Sequence, residues 1–367
     1  MALRESHCAP GALSNHPMAE ERRVQLSTFT PVDTHRVVCL GEALVLVCDE
    51  AADANPATAH LGGAEANVAA GLAARGIPTS WVGRVGKDAY GDLIRSELGR
   101  RGVDVSAVES DPDRPTGYYR KRKSVDPEGE HCTESEYHRA GSAASAMGPQ
   151  FLDQGPVRRV LHRATVIHCS GITAALSESC AALMQRLVGE RESSGALISF
   201  DVNWREQLWP HGDPGMVVEL ARLADIVFVG ADEAVRVFGS EDPAALRRIL
   251  PGPRMLVIKD GARGALAVDI AGRIDFVPAL TVDVVEPIGA GDAFAAGFLA
   301  GMALGEEVGQ CLRRGHIGAA ATLTVEFDSA PQPPAEVVAE LLSCPESVWA
   351  TTRVDSSGFV ATETSGD

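Results

Sequence analysis

The sequence predicts an α/β protein in which helices cover both faces of a largely parallel sheet. Runs of continuous apolar residues occur at 164–169, 196–202, 226–229 and 255–258. Segments with helical character alternate with them, near 174–190, 213–223, 231–250 and 292–304. Apolar strands that alternate with helices are typical of a parallel sheet buried on both faces.

Glycine and polar residues gather directly after these apolar runs. The segments are Ser170-Gly171, Asp201-Val202-Asn203, Gly230, Lys259-Asp260-Gly261 and the turn Gly289–Asp292. Ligands of such sheets bind beyond the carboxyl ends of the strands. We therefore expect these segments to line one binding site.

The same alternation begins earlier in the chain. The predicted elements are a β-rich run at 37–47 that Gly41-Glu42 interrupts, a helix from about Glu65, a strand at 80–85 and a helix at 90–101. Residues 116–140 differ, because tyrosines there are interleaved with arginines and lysines around a turn at 126–129. This pattern predicts a hairpin, either as a cover over a site or as a charged, solvated hairpin.

Composition limits the function classes. The chain of 367 residues is 45% hydrophobic, which is enough for a large core. We expect a single domain at 36–345, a disordered extension at 1–35 and a loose tail at 346–367. No apolar run reaches membrane-spanning length, and residues 1–35 show no apolar h-region with a small-residue cleavage site, so we expect no signal peptide.

Charge and cysteine usage narrow the partners. A net charge of −17 disfavours nucleic acid. The eight cysteines contain no C-x-x-C pair, and several lie in apolar runs, so we expect reduced thiols in a cytoplasmic protein. The ten histidines show no H-E-x-x-H spacing, which makes metal catalysis through histidine unexpected.

The segment Glu286–Phe298 carries the clearest chemistry. Val282, Val284 and Val285 indicate the end of a strand, which Pro287 stops. Gly289, Ala290 and Gly291 then form a turn into an apolar helix, and such a turn is suited to binding an anion such as phosphate. Asp292 would repel that anion, so it is either a base acting on an attacking hydroxyl or only a helix cap.

Other motifs are absent or weaker. The chain has no G-x-x-x-x-G-K-[ST], no G-x-G-x-x-G after its first strand and no G-x-S-x-G. Asn203 and Arg205 are either loop caps or, for the arginine, a fork for a carboxylate or phosphate. The pattern Lys259-x-Gly261-x-x-Gly264 is by itself typical of a hairpin.

Two of these motifs together resemble the ribokinase-like (phosphofructokinase-B) sugar kinases. They are Gly289-Ala290-Gly291-Asp292 and Gly62-Gly63-Ala64-x-x-Asn67-Val68-Ala69, in the family's order. The resemblance covers roughly 37–345. It is strongest to the 2-keto-3-deoxygluconate kinase branch, through 116–119, 137–143, 170–177 and 201–209.

The resemblance implies a Rossmann-type α/β/α sandwich with a small β-sheet lid, whose elements lie near 44–62 and 114–140. It also implies ATP-dependent phosphorylation of the terminal hydroxyl of 2-keto-3-deoxygluconate, in Entner–Doudoroff-type catabolism. Asp292 would be the base, with an anion hole formed by Gly289, Ala290, Gly291 and Asp292. The implied sugar contacts are Gly63, Asn67, Tyr119, Tyr137, Arg139, Arg205 and Asp328. The implied nucleotide contacts are Asn203, Lys259, Gly261 and Gly264.

The chain departs from the family pattern at two places. The usual Asp-Thr before Gly-Ala-Gly-Asp is Glu286-Pro287, which leaves activation by a monovalent cation open. The usual Asn-x-x-Glu near magnesium begins with Gly230, so Glu233 alone is carried over as a metal residue. The resemblance otherwise implies ATP, Mg²⁺, a sugar acid and a homodimer or higher homo-oligomer.

Two rival functions remain at this stage. One is a kinase of a neutral sugar or nucleoside, such as fructose or ribose. Against it, a neutral sugar would leave Arg139 and Arg205 without an anionic partner. The other is a sugar sensor that binds without turnover, against which Asp292 argues.

Overall fold

The strands form one large sheet and three small ones. The structure, a computed structural model, describes residues 36–47, 59–125, 131–191, 195–209 and 212–361. In chain order the strands are β1 Val37–Leu40, β2 Leu44–Val47, β3 Ala59–Gly62, β4 Thr79–Val82, β5 Arg84–Gly86, β6 Glu109–Asp111, β7 Tyr118–Val125, β8 His131–His138, β9 Val166–Ser170, β10 Leu197–Asp201, β11 Ile226–Gly230, β12 Met255–Asp260, β13 Gly264–Asp269, β14 Ile274–Pro278, β15 Thr281–Val282, β16 Thr352–Asp355 and β17 Gly358–Ala361.

Helices connect most of these strands. In chain order they are α1 Ala64–Ala74, α2 Ala89–Arg100, α3 Gly155–Leu161, α4 Gly171–Ala175, α5 Glu178–Gly189, α6 Gly215–Leu223, α7 Ala231–Phe238, α8 Pro243–Ile249, α9 Ala290–Ala303, α10 Val308–Leu323, α11 Ala335–Ser343 and α12 Glu346–Thr351. Short 3-10 turns lie at Ala144–Ala146, Pro149–Asp153 and Glu206–Leu208.

The large sheet has the order β14-β13-β12-β11-β10-β9-β1-β4. The strands from β12 to β4 in that order run parallel, whereas β13 and β14 are antiparallel at one edge. In β1, Val37 and Cys39 belong to one hydrophobic cluster and Val38 and Leu40 to the other. Alternate residues of the strand therefore enter two separate cores, as burial on both faces requires.

Each core is closed by its own helices. Helices α1, α2, α9, α10 and α11 contribute to the cluster that holds Val37. Helices α3, α5, α6, α7 and α8 contribute to the cluster that holds Val38. The predicted α/β/α sandwich is therefore confirmed.

A small sheet with the order β3-β2-β7-β8 stands apart from the large one. The central strands β2 and β7 are parallel, and β7 and β8 form the predicted hairpin. Tyr119 of β7 is buried with Leu44 and Leu46 of β2 in a small cluster of their own. This sheet is the predicted lid, and its members fall within the ranges 44–62 and 114–140. The turn expected at 126–129 lies outside the described residues.

Several predicted element boundaries were wrong. The run 37–47 breaks at Gly41-Glu42 as predicted, and its two halves belong to different sheets. The helical segment 174–190 consists of α4 and α5, and 231–250 consists of α7 and α8, which separate at Gly239 in the left-handed conformation. The run 80–85 likewise contains two strands, β4 and β5.

The strand predicted to end at Val285 ends earlier. Strand β15 stops at Val282, and the side chains of Val284 and Val285 are exposed. A loop therefore carries the chain from β15 to the turn at Gly289.

The prediction of a loose tail from residue 346 is wrong for residues 346–361. Trp349 of α12 is 1% exposed, and its indole nitrogen donates to the carbonyl of Pro278 at 2.9 Å. Strand β16 pairs with β15 and β17. The polar composition of this segment did not indicate that it packs on the domain, because a single large aromatic side chain supplies much of its attachment. The extension at 1–35 lies outside the described residues.

Candidate active site

A cavity of about 500 Å³ opens between the carboxyl edge of the large sheet and the lid. Most of the predicted site residues line it, namely Gly63, Asn67, Tyr119, Tyr137, Arg139, Asn203, Arg205, Glu233, Lys259, Gly289, Gly291, Asp292 and Asp328. Ala290, Gly261 and Gly264 are not among the lining residues. Two motifs far apart in sequence thus meet at one place in the structure.

The turn before α9 has a conformation that only glycine adopts easily. Gly289 has φ 87° and is the N-cap residue of the helix. A Cβ at this position would lie 2.1 Å from the carbonyl oxygen of Asp328, so the two loops pack backbone to backbone. Because Gly289 holds the cap position, Asp292 is not the N-cap residue and is the third residue of the helix, in its first turn. Its backbone environment is the helix N-terminus, where N–H groups are free to bind an anion.

The side chain of Asp292 is half-buried in the cavity wall, and its carboxylate is directed at α1. Asn67 Nδ2 donates to Asp292 Oδ2 at 2.9 Å. Burial raises the pKa of Asp292 to about 7, with the Asn67 hydrogen bond and the charges of Lys259 and Arg205 lowering it and Asp201 raising it. A carboxylate with a pKa near neutrality is suited to accept a proton during a reaction.

A lysine ammonium lies beside the same turn. Lys259 Nζ is 2.9 Å from Asp201 Oδ2, and a Cβ on Gly291 would be 3.4 Å from that nitrogen. Burial lowers the pKa of Lys259, but the charges of Asp201 and Glu233 outweigh it and the net shift is upward. Lys259 is therefore a fixed cation at neutral pH, adjacent to the anion-binding turn.

Glu233 has two partners already. Its Oε2 accepts from the backbone N–H of Gly230 at 2.8 Å, and its Oε1 lies 3.4 Å from Arg205 Nη1. Burial raises the pKa of Glu233. The neighbouring Asp232 also lines the cavity. This edge of the cavity thus offers two carboxylates, one of which closes the first turn of α7.

Aromatic and basic side chains of the lid form the opposite wall. The Tyr119 and Tyr137 rings stack with centroids 5.2 Å apart, and the Arg139 guanidinium lies 4.4 Å from the Tyr137 ring centre. Arg139 Nε is also 3.4 Å from Oε2 of the buried Glu42. The Tyr119 hydroxyl donates to Asp328 Oδ2. Burial first and Asp328 second raise the pKa of Tyr119, which keeps it a hydrogen-bond donor.

The two glycines of the β12–β13 turn have a structural explanation. Gly261 has φ 50° and Gly264 has φ 141°. A Cβ at Gly264 would lie 2.4 Å from the carbonyl of Val277 in β14. The segment is an antiparallel hairpin, which was the structural alternative for this motif.

Sequence reasoning did not select several charged residues of the site. Asp201, Asp232 and Glu42 lie in or against the cavity, and Lys121 and Glu286 lie behind the turn. The sequence could have indicated Asp201, because it ends a buried strand two residues before Asn203. Nothing in the sequence distinguishes Lys121, since its neighbours in the hairpin are also basic.

Residues 34–334 match the pfkB family of carbohydrate kinases. The 2-dehydro-3-deoxygluconokinase of Bacillus subtilis (strain 168) is 33% identical over 296 residues, which are 78% of this chain and 88% of that protein. Probable fructokinase-6, chloroplastic, of Arabidopsis thaliana is 28% identical over 316 residues, which are 83% of this chain and 79% of that protein.

A solved structure has the same architecture. The crystal structure of a PfkB protein from Polaromonas sp. JS666 superposes with a TM-score of 0.69 at 30% identity. The match covers 85% of this chain and 100% of that one.

The packing of Gly289 against Asp328 can be tested by substitution with alanine. Gly289→Ala introduces a left-handed alanine and a clash, whereas Gly272→Ala introduces only the former, because Gly272 has φ 84° and open space around it. We expect the control to cost about 1–2 kcal/mol. We expect Gly289→Ala to cost about 1–3 kcal/mol more, from overpacking against a backbone carbonyl. Urea denaturation measures both, and equal losses would contradict the tight packing.

Proposed function

The chain belongs to the pfkB family of carbohydrate kinases, and from that premise we propose that it phosphorylates the terminal hydroxyl of 2-keto-3-deoxygluconate with ATP. The observation that carries the proposal is the half-buried, cavity-lining carboxylate of Asp292, with a pKa raised to about 7, at a turn suited to an anion and flanked by Lys259. The 33% identity to the Bacillus subtilis 2-dehydro-3-deoxygluconokinase supports the choice of substrate.

In the proposed reaction, Asp292 takes the proton of the sugar hydroxyl while the hydroxyl oxygen attacks the terminal phosphorus of ATP. A new O–P bond forms, the bond from that phosphorus to the bridging oxygen breaks, and its electron pair leaves with ADP. The backbone N–H groups of the turn and the ammonium of Lys259 stabilise the charge of the transferring group. Asn67 positions the base through its 2.9 Å hydrogen bond.

We assign the carboxylate of the substrate to Arg139 of the lid and Arg205 of the sheet edge. Both line the cavity, and their guanidinium groups are the forks best suited to a carboxylate. Tyr119 and Tyr137 give the lid wall an aromatic surface, and Gly63 and Asp328 complete the proposed sugar contacts. Arg205 is the more adaptable of the two arginines, because 48% of its side chain is exposed.

Asn203 and Lys259 reach the proposed nucleotide from the sheet edge, and Gly261 and Gly264 from the hairpin beyond it. The residues also fit a magnesium ion carried by the phosphates. Mg²⁺ keeps most of its water and needs one or two carboxylates. Asp232 and Glu233 supply them at the cavity wall. When bound, the ion would neutralise phosphate charge.

We also propose a cytoplasmic location and a homo-oligomer. Five of the described cysteines are free thiols, as a reducing compartment maintains. No helix among the described segments is long and apolar enough to cross a membrane. The edge strands of the lid, β3 and β8, are the proposed contact between copies.

A neutral-sugar kinase is the second candidate, favoured by the 28% identity to the Arabidopsis probable fructokinase-6. The two candidates share the fold and the base. They differ in whether the substrate brings a carboxylate to Arg139 and Arg205 in addition to their protein partners Glu42 and Glu233. The choice of sugar therefore tests the substrate separately from the chemistry.

The first test measures ADP release with ATP and magnesium. We expect turnover with 2-keto-3-deoxygluconate and little with fructose, ribose or adenosine. Asp292→Asn should abolish turnover while sugar binding, measured by calorimetry, is largely kept. Turnover with a neutral sugar alone would reject the substrate, and unchanged turnover in the variant would reject the base. Sugar-acid binding without turnover in the wild type would instead favour a sensor.

The pH dependence reports on Asp292. Because the ionised form is the base, kcat/KM for the sugar acid should fall as the pH drops below about 7. The amide of Asn67 stabilises the ionised form, so Asn67→Ala should raise the pKa of Asp292 and move this acid limb to higher pH. The measurement is the kcat/KM profile of both proteins. An acid limb at the same pH in both would contradict the role of Asn67.

Two arginines provide a matched test of substrate class. Arg205 and Arg236 each pair with a glutamate and each have 48% of the side chain exposed, but Arg236 is not among the cavity-lining residues. We expect Arg205→Ala to raise KM for the sugar acid about tenfold or more, as loss of a charged hydrogen bond does. Arg236→Ala should leave KM within about twofold, because exposed ion pairs contribute little. Equal effects of Arg205→Ala on sugar-acid and neutral-sugar KM would reject the assignment.

A further inference from the structure

Lys121 of the lid extends its side chain into the body of the protein. Its Nζ lies 3.0 Å from Asp328 Oδ1 and 3.3 Å from Glu286 Oε2. It also donates to the carbonyl of Glu326 at 3.3 Å. Only 12% of the lysine side chain is exposed, against 7% for Glu286 and 5% for Asp328. This ammonium is therefore held by two buried carboxylates and one backbone carbonyl.

The two carboxylates lie on the two sides of the turn before α9. Glu286 precedes it, and Glu286 Oε1 accepts from the backbone N–H of Ile288 at 3.2 Å. Asp328 follows α10, and its carbonyl packs directly against Gly289. Lys121 consequently connects both segments that fix the backbone of the proposed anion hole.

The charge of Lys121 is needed at this place. Two carboxylates buried close together repel one another and lose their hydration, unless a cation and hydrogen bonds compensate them. Lys121 supplies the cation, and the hydroxyl of Tyr119 supplies a further hydrogen bond to Asp328. Without the ammonium, both segments would carry uncompensated negative charge beside an incoming phosphate.

These contacts bear on the monovalent cation that the family resemblance leaves open. Both oxygens of Glu286 already have protein donors, namely Ile288 N–H and Lys121 Nζ. A metal cation at the same carboxylate would be repelled by the ammonium. The residues present therefore do not fit a monovalent metal ion at the Glu286-Pro287 position.

We propose that the Lys121 ammonium is a built-in cation that positions the catalytic turn, so that the enzyme needs no monovalent metal ion. This inference rests on the proposed kinase function. It makes Lys121 a positioning residue, because the ammonium acts on substrate only through the turn. Since Tyr119 and Lys121 lie on the same strand and both contact Asp328, docking of the lid and formation of the anion hole occur together.

The first experiment compares wild-type rates in KCl, NaCl and tetramethylammonium chloride at equal ionic strength. We expect rates within about twofold of one another, because the internal cation is always present. Activation by KCl of more than about fivefold over tetramethylammonium chloride would overturn the proposal. A wild type that is inactive on every sugar would count against the proposed function, and the stability measurement below then decides the question.

The second experiment removes the charge. Lys121→Met keeps the length of the side chain, Lys121→Arg keeps the charge, and Lys87→Met is the control at an exposed lysine. We expect Lys121→Met to lower kcat about 10²-fold, with a smaller change in KM, as misplacement of catalytic groups does. Lys121→Arg should recover much of kcat, and Lys87→Met should match the wild type. A Lys121→Met enzyme with normal kcat would overturn the proposal.

A thermal-unfolding readout works without substrate. In Lys121→Met the empty site should take up K⁺ or NH₄⁺, so KCl or NH₄Cl should raise Tm relative to tetramethylammonium chloride. The wild type and Lys87→Met should show no such difference. If Lys121→Met does not fold, the comparison uses Lys121→Arg and the wild type. An ion-specific rise of Tm in the wild type would contradict a built-in cation.

Discussion

The half-buried carboxylate of Asp292 is the constraint on which the arrangement of the site depends. A carboxylate that has lost much of its hydration is destabilised in its ionised form, and this desolvation raises the pKa of Asp292 to about 7. The amide of Asn67 and the cations Lys259 and Arg205 stabilise the ionised form and lower the pKa, but they offset the desolvation only in part. The result is a group that is ionised near neutrality and still basic enough to take a proton. These three residues come from different parts of the chain, so the carboxylate of Asp292 has this pKa only in the folded protein.

The sequence predicted the turn, and it made Asp292 a candidate base, because both features are local. A glycine with positive φ, an apolar helix after it and an acidic residue in its first turn can all be inferred from a few consecutive residues. The partners of the base are not local. Asn67 and Asp292 are separated by 225 positions. The family resemblance predicts that both residues belong to one site, whereas only the structure shows their hydrogen bond and its direction.

The same distinction between local and non-local features applies to the prediction of the fold. Continuous apolar strands predicted the sheet, because burial on both faces leaves a strong pattern of composition. Helix breaks were missed, since Gly239 can lie inside or after a helix with little difference in the surrounding sequence. The C-terminal segment was missed for another reason. This segment is attached through Trp349, which contacts Pro278 of β14 and His316 of α10. The polar composition around Trp349 does not indicate these contacts.

Lys121 shows why charge is the hardest property to interpret from sequence. In the hairpin it has basic neighbours on both sides, and such a run usually indicates a solvated surface. The pleat of β7 decides otherwise, because residues two apart lie on the same face of a strand. Tyr119 and Lys121 therefore point the same way, toward Asp328. An aromatic residue that anchors the strand thus also fixes the direction of the lysine, and the lid strand places a cation between Glu286 and Asp328 on the two sides of the turn.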